Sequence, residues 1–113
     1  MLNQVVIVGN LGNDPQSLYS SDGQPITNFN MAFSAAKKKT CWIRVVAFGN
    51  TANVVSQYLT KGSRIAVAGS LDQDKWVTED GQQRSNYKLI AHSIEFIKVF
   101  KDGEESTGEE TPF

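Results

Sequence analysis

The pattern of apolar and polar residues along the chain predicts mainly β-strands. Residues 4–11 are rich in β-branched side chains and predict a first strand, with a bulge or bend expected at Gly9. Residues 13–15 predict the start of a loop. Apolar and polar side chains then alternate over residues 25–34 and again over residues 41–48, which predicts a second and a third strand.

The period changes to that of a helix after the third predicted strand. Apolar residues at helical spacing predict one helix over residues 51–61. Asn50 or Thr51 is the expected N-cap, and Lys61 with Gly62 has the charge and the glycine expected at the C-terminal end. This is the one helix that the pattern predicts.

The remainder of the chain returns to strands. Residues 64–71 predict a fourth strand, residues 79–82 the turn of a hairpin, and residues 86–97 the last one or two strands. Three strands, one helix and further strands are the order of the OB-fold, a five-stranded Greek-key barrel with its helix between the third and fourth strands. The predicted fold class is therefore an all-β OB-fold.

The third predicted strand, CWIRVVAFG, is apolar on both faces. One face carries Cys41 and the aliphatic side chains that follow it, as expected for a barrel interior, whereas the other carries Trp42, Arg44, Val46 and Phe48. A half-buried strand normally has a polar outer face. The outer face is therefore a second buried layer, a subunit interface or a binding surface, and the pattern alone leaves these alternatives open.

Composition indicates one ordinary domain in a soluble, cytoplasmic protein. The 113 residues are 40% hydrophobic, which is enough for a single core. No signal peptide or membrane-spanning stretch is expected, and the one cysteine, Cys41, excludes a disulfide within the chain.

Charge divides the chain into two parts. Residues 1–101 contain all 11 Lys and Arg but 7 of the 12 Asp and Glu, which gives 11 − 7 = +4, whereas residues 102–113 contain five acids and no base. We expect an OB-fold domain over residues 1–101 and a flexible acidic tail over residues 102–113. Such asymmetry points to nucleic-acid contact in the first part and an interaction tail in the second.

Catalytic chemistry has little support in the sequence. His92 is the only histidine and lies in a strand pattern, so a metal site or a histidine-based triad would lack partners. Cys41 has no basic neighbour that would activate it, and the glycines at 9 and 12 lack the strand-to-helix context of a phosphate loop. We expect no enzymatic activity, no cofactor and no bound metal.

Aromatic residues interleaved with cations favour a binding function. Trp42 and Phe48 lie beside Arg44, and Trp76 follows Lys75. Bases of single-stranded nucleic acid stack on such aromatic faces while positive charge meets the phosphates. The basic run 37–39 is by itself more typical of a solvated loop.

The acidic tail allows two interpretations. It is either a segment that keeps the protein soluble, or a docking motif, because Glu109 and Glu110 are followed by Pro112 and Phe113. A phenyl ring and carboxylate behind acidic residues would suit an apolar pocket with a basic rim.

Four segments resemble the bacterial single-stranded DNA-binding protein family: NQVVIVGNLGNDP, CWIRVVAFGNTAN, YLTKGSRIAVAGSL and DKWVTEDGQQR, in that order. The resemblance implies binding of single-stranded DNA without strong sequence preference during replication, recombination and repair, in a bacterial cytoplasm at the nucleoid. It also implies a homotetramer that needs no cofactor, and a tail that recruits partner enzymes. The connection before the third strand is shorter than usual in the family, and Lys37 replaces an aromatic that stacks in many members.

The predicted site follows from the residues and the resemblance together. Base stacking is expected at Trp42, Phe48 and Trp76. The DNA backbone is expected to follow the cations Lys37, Lys38, Lys39, Arg44, Lys61, Lys75 and Arg84. Partner binding is expected at Glu109, Glu110, Pro112 and Phe113. The alternatives are an RNA-binding or primosomal OB-fold module and an oligomeric scaffold.

Overall fold

The structure is a computed structural model that describes residues 1–101 and 104–106. Within these residues it contains seven strands and one α-helix. In chain order they are β1 (Val5–Leu11), β2 (Gln16–Tyr19), β3 (Pro25–Ala35), β4 (Lys39–Phe48), α1 (Gly49–Tyr58), β5 (Arg64–Val77), β6 (Gln83–Lys101) and β7 (Glu104–Ser106).

Five of the strands close into a ring. The strand order is β1-β5-β6-β4-β3-β2, and β1 also pairs with β3 through Asn10↔Ala32 and Leu11↔Met31. The ring therefore consists of β1, β3, β4, β5 and β6, with α1 between its third and fourth strands in chain order. The predicted OB-fold is confirmed, and β4 with β6 is its parallel pair.

The core lies inside the ring and is capped by the helix. Phe29, Val45 and Leu89 are fully buried and come from three neighbouring strands. Val55 of α1 belongs to the same cluster. The hydroxyl of the buried Thr27 donates a hydrogen bond of 3.0 Å to the carbonyl of Ala52, which ties β3 to the helix.

Three local predictions were wrong. β1 runs without interruption through Gly9, which pairs with Ile65. A Cβ at Gly9 would lie 2.2 Å from the carbonyl oxygen of Ala32, so the glycine permits a close approach of two strands rather than a bend. The helix begins earlier than expected, with Phe48 as N-cap and no side-chain cap, so Asn50 and Thr51 lie within its first turn. It also ends earlier, at Tyr58 with Leu59 as C-cap, so Lys61 and Gly62 lie in the turn that follows it.

One strand in the segment after β1 was not predicted. Residues 13–15 do begin a loop, but the strand β2 follows at once and pairs with β3 from Gln16↔Asn28 to Tyr19↔Pro25. All four of its residues are exposed. β2 therefore extends the sheet beyond the ring through main-chain hydrogen bonds and not through burial.

Two hairpin turns have the same five-residue sequence pattern: Ser or Thr, then any residue, then Asp-Gly-Gln. In residues 20–24 and residues 78–82, the hydroxyl group of the first residue bonds the Asp carboxylate and also accepts a hydrogen bond from the Gln N–H. The glycine adopts φ of 85° in both turns. The hydroxyl bonds lower the pKa of Asp22 and of Asp80 below their usual range.

The β3–β4 hairpin has a tighter turn. The N–H of Lys39 donates to the carbonyl of Ala36, and the two residues between them, Lys37 and Lys38, have φ of 61° and 59°. Two consecutive residues with positive φ define a type I′ turn, whose twist matches that of the strands it joins. The last paired residues are Ala35 and Lys39, so the basic connection is three residues long.

Candidate nucleic-acid interface

The outer face of β4 carries the aromatic residues that the sequence singled out. Alternation places Val45 and Ala47 in the core and leaves Trp42, Arg44 and Phe48 outside. Trp42 retains 62% of its accessible surface. An indole exposed to this degree contributes little to the core, so the outer face of β4 is open to solvent at Trp42 and Arg44, whereas Val46 on the same face is buried.

Trp42 shares a groove with the second tryptophan. Trp76 of β5 is 44% exposed and faces Trp42 across β6, where Lys88 pairs with Arg44. The groove has a volume of about 550 Å³. Its walls are formed by residues of β3, β4, β5 and β6, namely Asn30, Trp42, Ile43, Arg44, Asp74, Trp76, Asn86, Tyr87 and Lys88.

The position of the Trp42 ring depends on a glycine. A Cβ on Gly12 would lie 2.4 Å from Cζ3 of Trp42, so the indole packs directly over the Gly12 backbone. Gly12 is held by a hydrogen bond of 2.7 Å from its N–H to the carbonyl of Asn30. The Asn30 N–H in turn donates to Oδ1 of Asn13 at 2.8 Å. The loop after β1 therefore forms a fixed floor beneath the indole.

Lys61 lies at the same end of the ring as Trp42. Its N–H donates to Oδ1 of Asp14 at 2.8 Å, and the N–H of Gly62 donates to the carbonyl of Leu11 at 2.9 Å. These bonds join the turn after the helix to the loop that supports Trp42. Lys61 is exposed and extends the positive charge of this end.

The cationic side chains of the groove differ in whether they are already paired with a carboxylate. In the part of the chain that the structure describes, Arg44 has no ion-pair partner. Lys88 is paired instead, with Nζ 3.1 Å from the Asp74 carboxylate. Lys75 and Arg84 line a second depression on the other side of Trp76, where Arg84 donates to the Gln82 side chain at 2.9 Å. The hairpin therefore presents positive charge beside an exposed indole.

The remaining predicted residues lie away from the groove. Phe48 is six residues beyond Trp42 on β4, at about 20 Å, and it pairs with Ile26 rather than with a groove residue. The lysines at 37, 38 and 39 are exposed in the β3–β4 turn, beyond the Trp42 end of the strand. The predicted tail residues 109–113 lie outside the described residues.

Six of the nine groove residues were not among the predicted site residues, and three of these six have side chains suited to a binding role, namely Asp74, Tyr87 and Lys88. Tyr87 is an exposed aromatic residue in β6, the hairpin arm that pairs with the arm of Trp76. Its position in the hairpin could have identified it in the sequence as a candidate for base stacking. Asp74 and Lys88 carry opposite charges and are 14 residues apart, so only the register of the β5–β6 hairpin brings them together.

Among the described residues, no cluster of His, Cys, Asp and Glu could hold a metal ion. Nor does that part of the chain contain a helix long and apolar enough to span a membrane.

The ring of strands, its single helical cap and the aromatic groove define an OB-fold domain of the kind whose strand face and loops bind oligonucleotides or oligosaccharides. Residues 2–97 match the model of the single-strand binding protein family, and the chain belongs to this family. Proteins of the family bind DNA and are not enzymes, which agrees with the prediction that this chain has no enzymatic role.

Individual relatives agree with the family match. The chain is 34% identical over 110 residues to a single-stranded DNA-binding protein of Xylella fastidiosa, with 90% of this chain and 67% of the relative aligned. It is 35% identical over 104 residues to proteins of the same name from Xanthomonas campestris and Xanthomonas axonopodis, with 85% of this chain aligned. The chain spans 60% and 58% of the length of those two relatives.

Proposed function

We propose that this protein binds single-stranded DNA without strong sequence preference, through base stacking and phosphate contacts. The observation that carries the proposal is the groove that two exposed tryptophans, Trp42 and Trp76, line together with Arg44. Each base stacked on an aromatic ring contributes about 1–3 kcal/mol and tolerates any sequence, because every base has a π-face. Duplex DNA hides those faces, so the groove favours single strands.

The proposal includes a path for the DNA across the protein. Single-stranded DNA that crosses the groove continues toward Phe48 along β4 and toward Lys75 and Arg84 along the β5–β6 hairpin. Lys61 and the lysines at 37–39 would contact phosphates at the Trp42 end. A net charge of about +4 over residues 1–101 provides moderate phosphate attraction, so stacking carries much of the affinity.

The biological role and the partners extend the same proposal. The protein would cover and protect single-stranded DNA during replication, recombination and repair, in the bacterial cytoplasm at the nucleoid. Residues 1–101 would act as the DNA-binding domain. Residues 102–113 would act as an acidic tail whose Glu109, Glu110, Pro112 and Phe113 recruit partner enzymes. This division is supported by the charge asymmetry of the sequence.

A homotetramer is the proposed assembly. An apolar strip runs along the outer face of β1 and β5, where Val6 pairs with Ala68 and Val8 with Ala66. Val6 is 65% exposed in the single chain. An aliphatic strip on a sheet face is suited to subunit contact. Size-exclusion chromatography with light scattering measures the assembly directly.

A fluorescence titration tests the proposed function. Oligo(dT), duplex DNA and poly(U) are added at several salt concentrations while tryptophan emission is recorded. We expect strong quenching by oligo(dT), weak quenching by duplex, and affinities that fall as salt rises. Unchanged emission with oligo(dT) at low salt would contradict the proposal. Equal or tighter binding of poly(U) would favour an RNA-binding module instead.

The same assay with one variant tests the scaffold alternative. If the groove binds DNA, Trp42→Ala weakens oligo(dT) binding and leaves the oligomer intact, because Trp42 lies on a different part of the sheet from the Val6 strip. If the strand face is a subunit interface, the variant breaks the oligomer and leaves the affinity of the remaining folded protein unchanged.

A further inference from the structure

An ion pair between Asp74 and Lys88 lies inside the groove where a polyanion is proposed to bind. Nζ of Lys88 is 3.1 Å from both carboxylate oxygens of Asp74, so the carboxylate faces the ammonium with both oxygens. The β5–β6 register brings the two side chains to one face of the sheet, because Lys88 pairs with Asp72, two residues before Asp74. The Asp74 side chain is 56% exposed and that of Lys88 23% exposed, so the pair adds little to stability.

The pair sets the net charge of the groove. Of the nine lining residues, Arg44 and Lys88 are cations and Asp74 is an anion, which leaves one net positive charge. The same walls carry three aromatic side chains, namely Trp42, Trp76 and Tyr87. The groove is therefore rich in surfaces for bases and poor in charge for phosphates.

A phosphate group cannot use Lys88 without approaching Asp74. A phosphate oxygen that accepts a hydrogen bond of about 2.8 Å from Nζ lies at most about 6 Å from each carboxylate oxygen, because Nζ is itself 3.1 Å from them. Since the Coulomb energy varies as the inverse of distance, repulsion by the carboxylate offsets at least about half of the attraction to the ammonium. An uncharged base is not subject to this repulsion.

We propose that Asp74 is a specificity residue through which the groove selects accessible bases over phosphates alone. The inference rests on the proposed function and names a residue that favours single strands over duplex. Attraction to phosphates provides nearly all of the affinity of non-specific binding to nucleic acid. By neutralising Lys88, Asp74 weakens that attraction within the groove, which is discrimination by a repulsive element.

Ligands with and without accessible bases use the groove differently. Bases stacked on Trp42 or Trp76 would fill the groove of about 550 Å³ and hold their own phosphates at its rim, farther from Asp74. A duplex or an abasic strand has no free base face to stack, so phosphates are the groups it can bring to the groove. The repulsion by Asp74 therefore acts mainly on ligands without accessible bases.

Competition binding at low salt tests the inference. A fluorescein-labelled oligo(dT) tracer is displaced by dT of about eight nucleotides, by an abasic strand of the same length or by a short duplex. Asp74→Asn removes the charge with little change in shape and frees Lys88. We expect the abasic strand and the duplex to bind this variant about 2- to 5-fold tighter than the wild type, the range measured for exposed ion pairs. The affinity for dT should change less, so the ratio of dT affinity to abasic affinity falls.

Two controls separate the ion pair from the general charge of the protein. Asp72→Asn removes the same charge from the same strand face, but the Asp72 carboxylate accepts from the N–H of Gln73 at 2.8 Å and does not line the groove. The affinity ratio of this variant should equal that of the wild type. Asp74→Asn combined with Lys88→Gln replaces the pair by two neutral side chains and keeps the net charge of the groove, so the ratio should again equal that of the wild type.

The outcomes separate the inference from the proposed function. If Asp74→Asn tightens all three competitors equally or tightens none of them, the specificity inference is wrong and the proposed function stands. An equal fall of the ratio in Asp72→Asn would also contradict the inference, because a general charge effect would then explain both variants. If the wild type does not bind oligo(dT) at all, the proposed function fails and the inference fails with it.

Discussion

At the scale of single residues, the clearest link between packing and function is the contact of Trp42 with Gly12. The sequence only excludes Gly12 from a phosphate loop, whereas the structure makes it the surface on which the indole rests. The obstacle to a larger residue is the end of a side chain and not backbone, so the indole can move aside. Substitution of Gly12 should therefore change binding more than stability.

Gly12→Ala tests this role. The added methyl group would displace the Trp42 ring, and we expect oligo(dT) affinity to fall by about 1 kcal/mol, part of the contribution of one stacked base. Chemical denaturation should show a smaller change in the free energy of unfolding. In a Trp42→Ala background, Gly12→Ala should have no further effect on affinity. Additive losses in the double variant would show that Gly12 acts independently of Trp42.

At the scale of elements, the β3–β4 turn combines unfavourable backbone conformations with positive charge. Lys37 and Lys38 both have positive φ, which side chains other than Gly, Asn and Asp adopt rarely. Asn-Gly is the preferred sequence for this type I′ turn. Lysine is therefore an unfavourable residue at both turn positions. The presence of two lysines here is consistent with the proposed contact to phosphates.

The double variant Lys37→Asn with Lys38→Gly tests the effects of backbone conformation and of positive charge by separate measurements. We expect the free energy of unfolding to rise by about 1 kcal/mol, because the strained backbone is relieved. If both lysines contact phosphates, their removal should make the slope of log K against log salt shallower by about 1.4, because each phosphate contact with single-stranded DNA contributes about 0.7 to the slope. A stabilised protein with an unchanged slope would show that the basic turn is only a solvated loop.

Sequence patterns predicted the elements whose side chains alternate between core and solvent, and they did not predict those held by the main chain alone. β3 and β4 follow the expected alternation around Asn30 and Arg44, where the ring buries one face, whereas residues 27–29 and 45–47 are buried on both faces. β2 was missed because its four residues are all exposed. Likewise, the exposed tryptophans stood out as unusual residues, whereas the Asp74–Lys88 pair depends on a hairpin register that only the folded chain reveals.

At the scale of the whole molecule, the two charged parts of the chain oppose one another. Residues 1–101 carry a net charge of +4, and residues 102–113 carry five acids. β7 pairs Glu104–Ser106 with β6, so the seven residues that follow it reach at most about 25 Å from Ser106, in a molecule with dimensions of 51 × 41 × 32 Å. Acids tethered within this distance would have a high local concentration near the cationic surface, and they would compete with the phosphates of DNA for the same side chains.

Deletion of residues 109–113 tests this competition. The deletion removes Glu109 and Glu110, and we expect tighter oligo(dT) binding at low salt because fewer acids compete for the basic surface. The difference should disappear as salt rises, since screening weakens the attraction of the tail and of DNA together. A matched control replaces both glutamates by Gln at full length, and it should reproduce the effect if charge is the cause. If the deletion tightens binding and the Gln variant does not, the apolar Pro112 and Phe113 are responsible. Equal affinities of all three proteins at low salt would show that the tail does not compete with DNA.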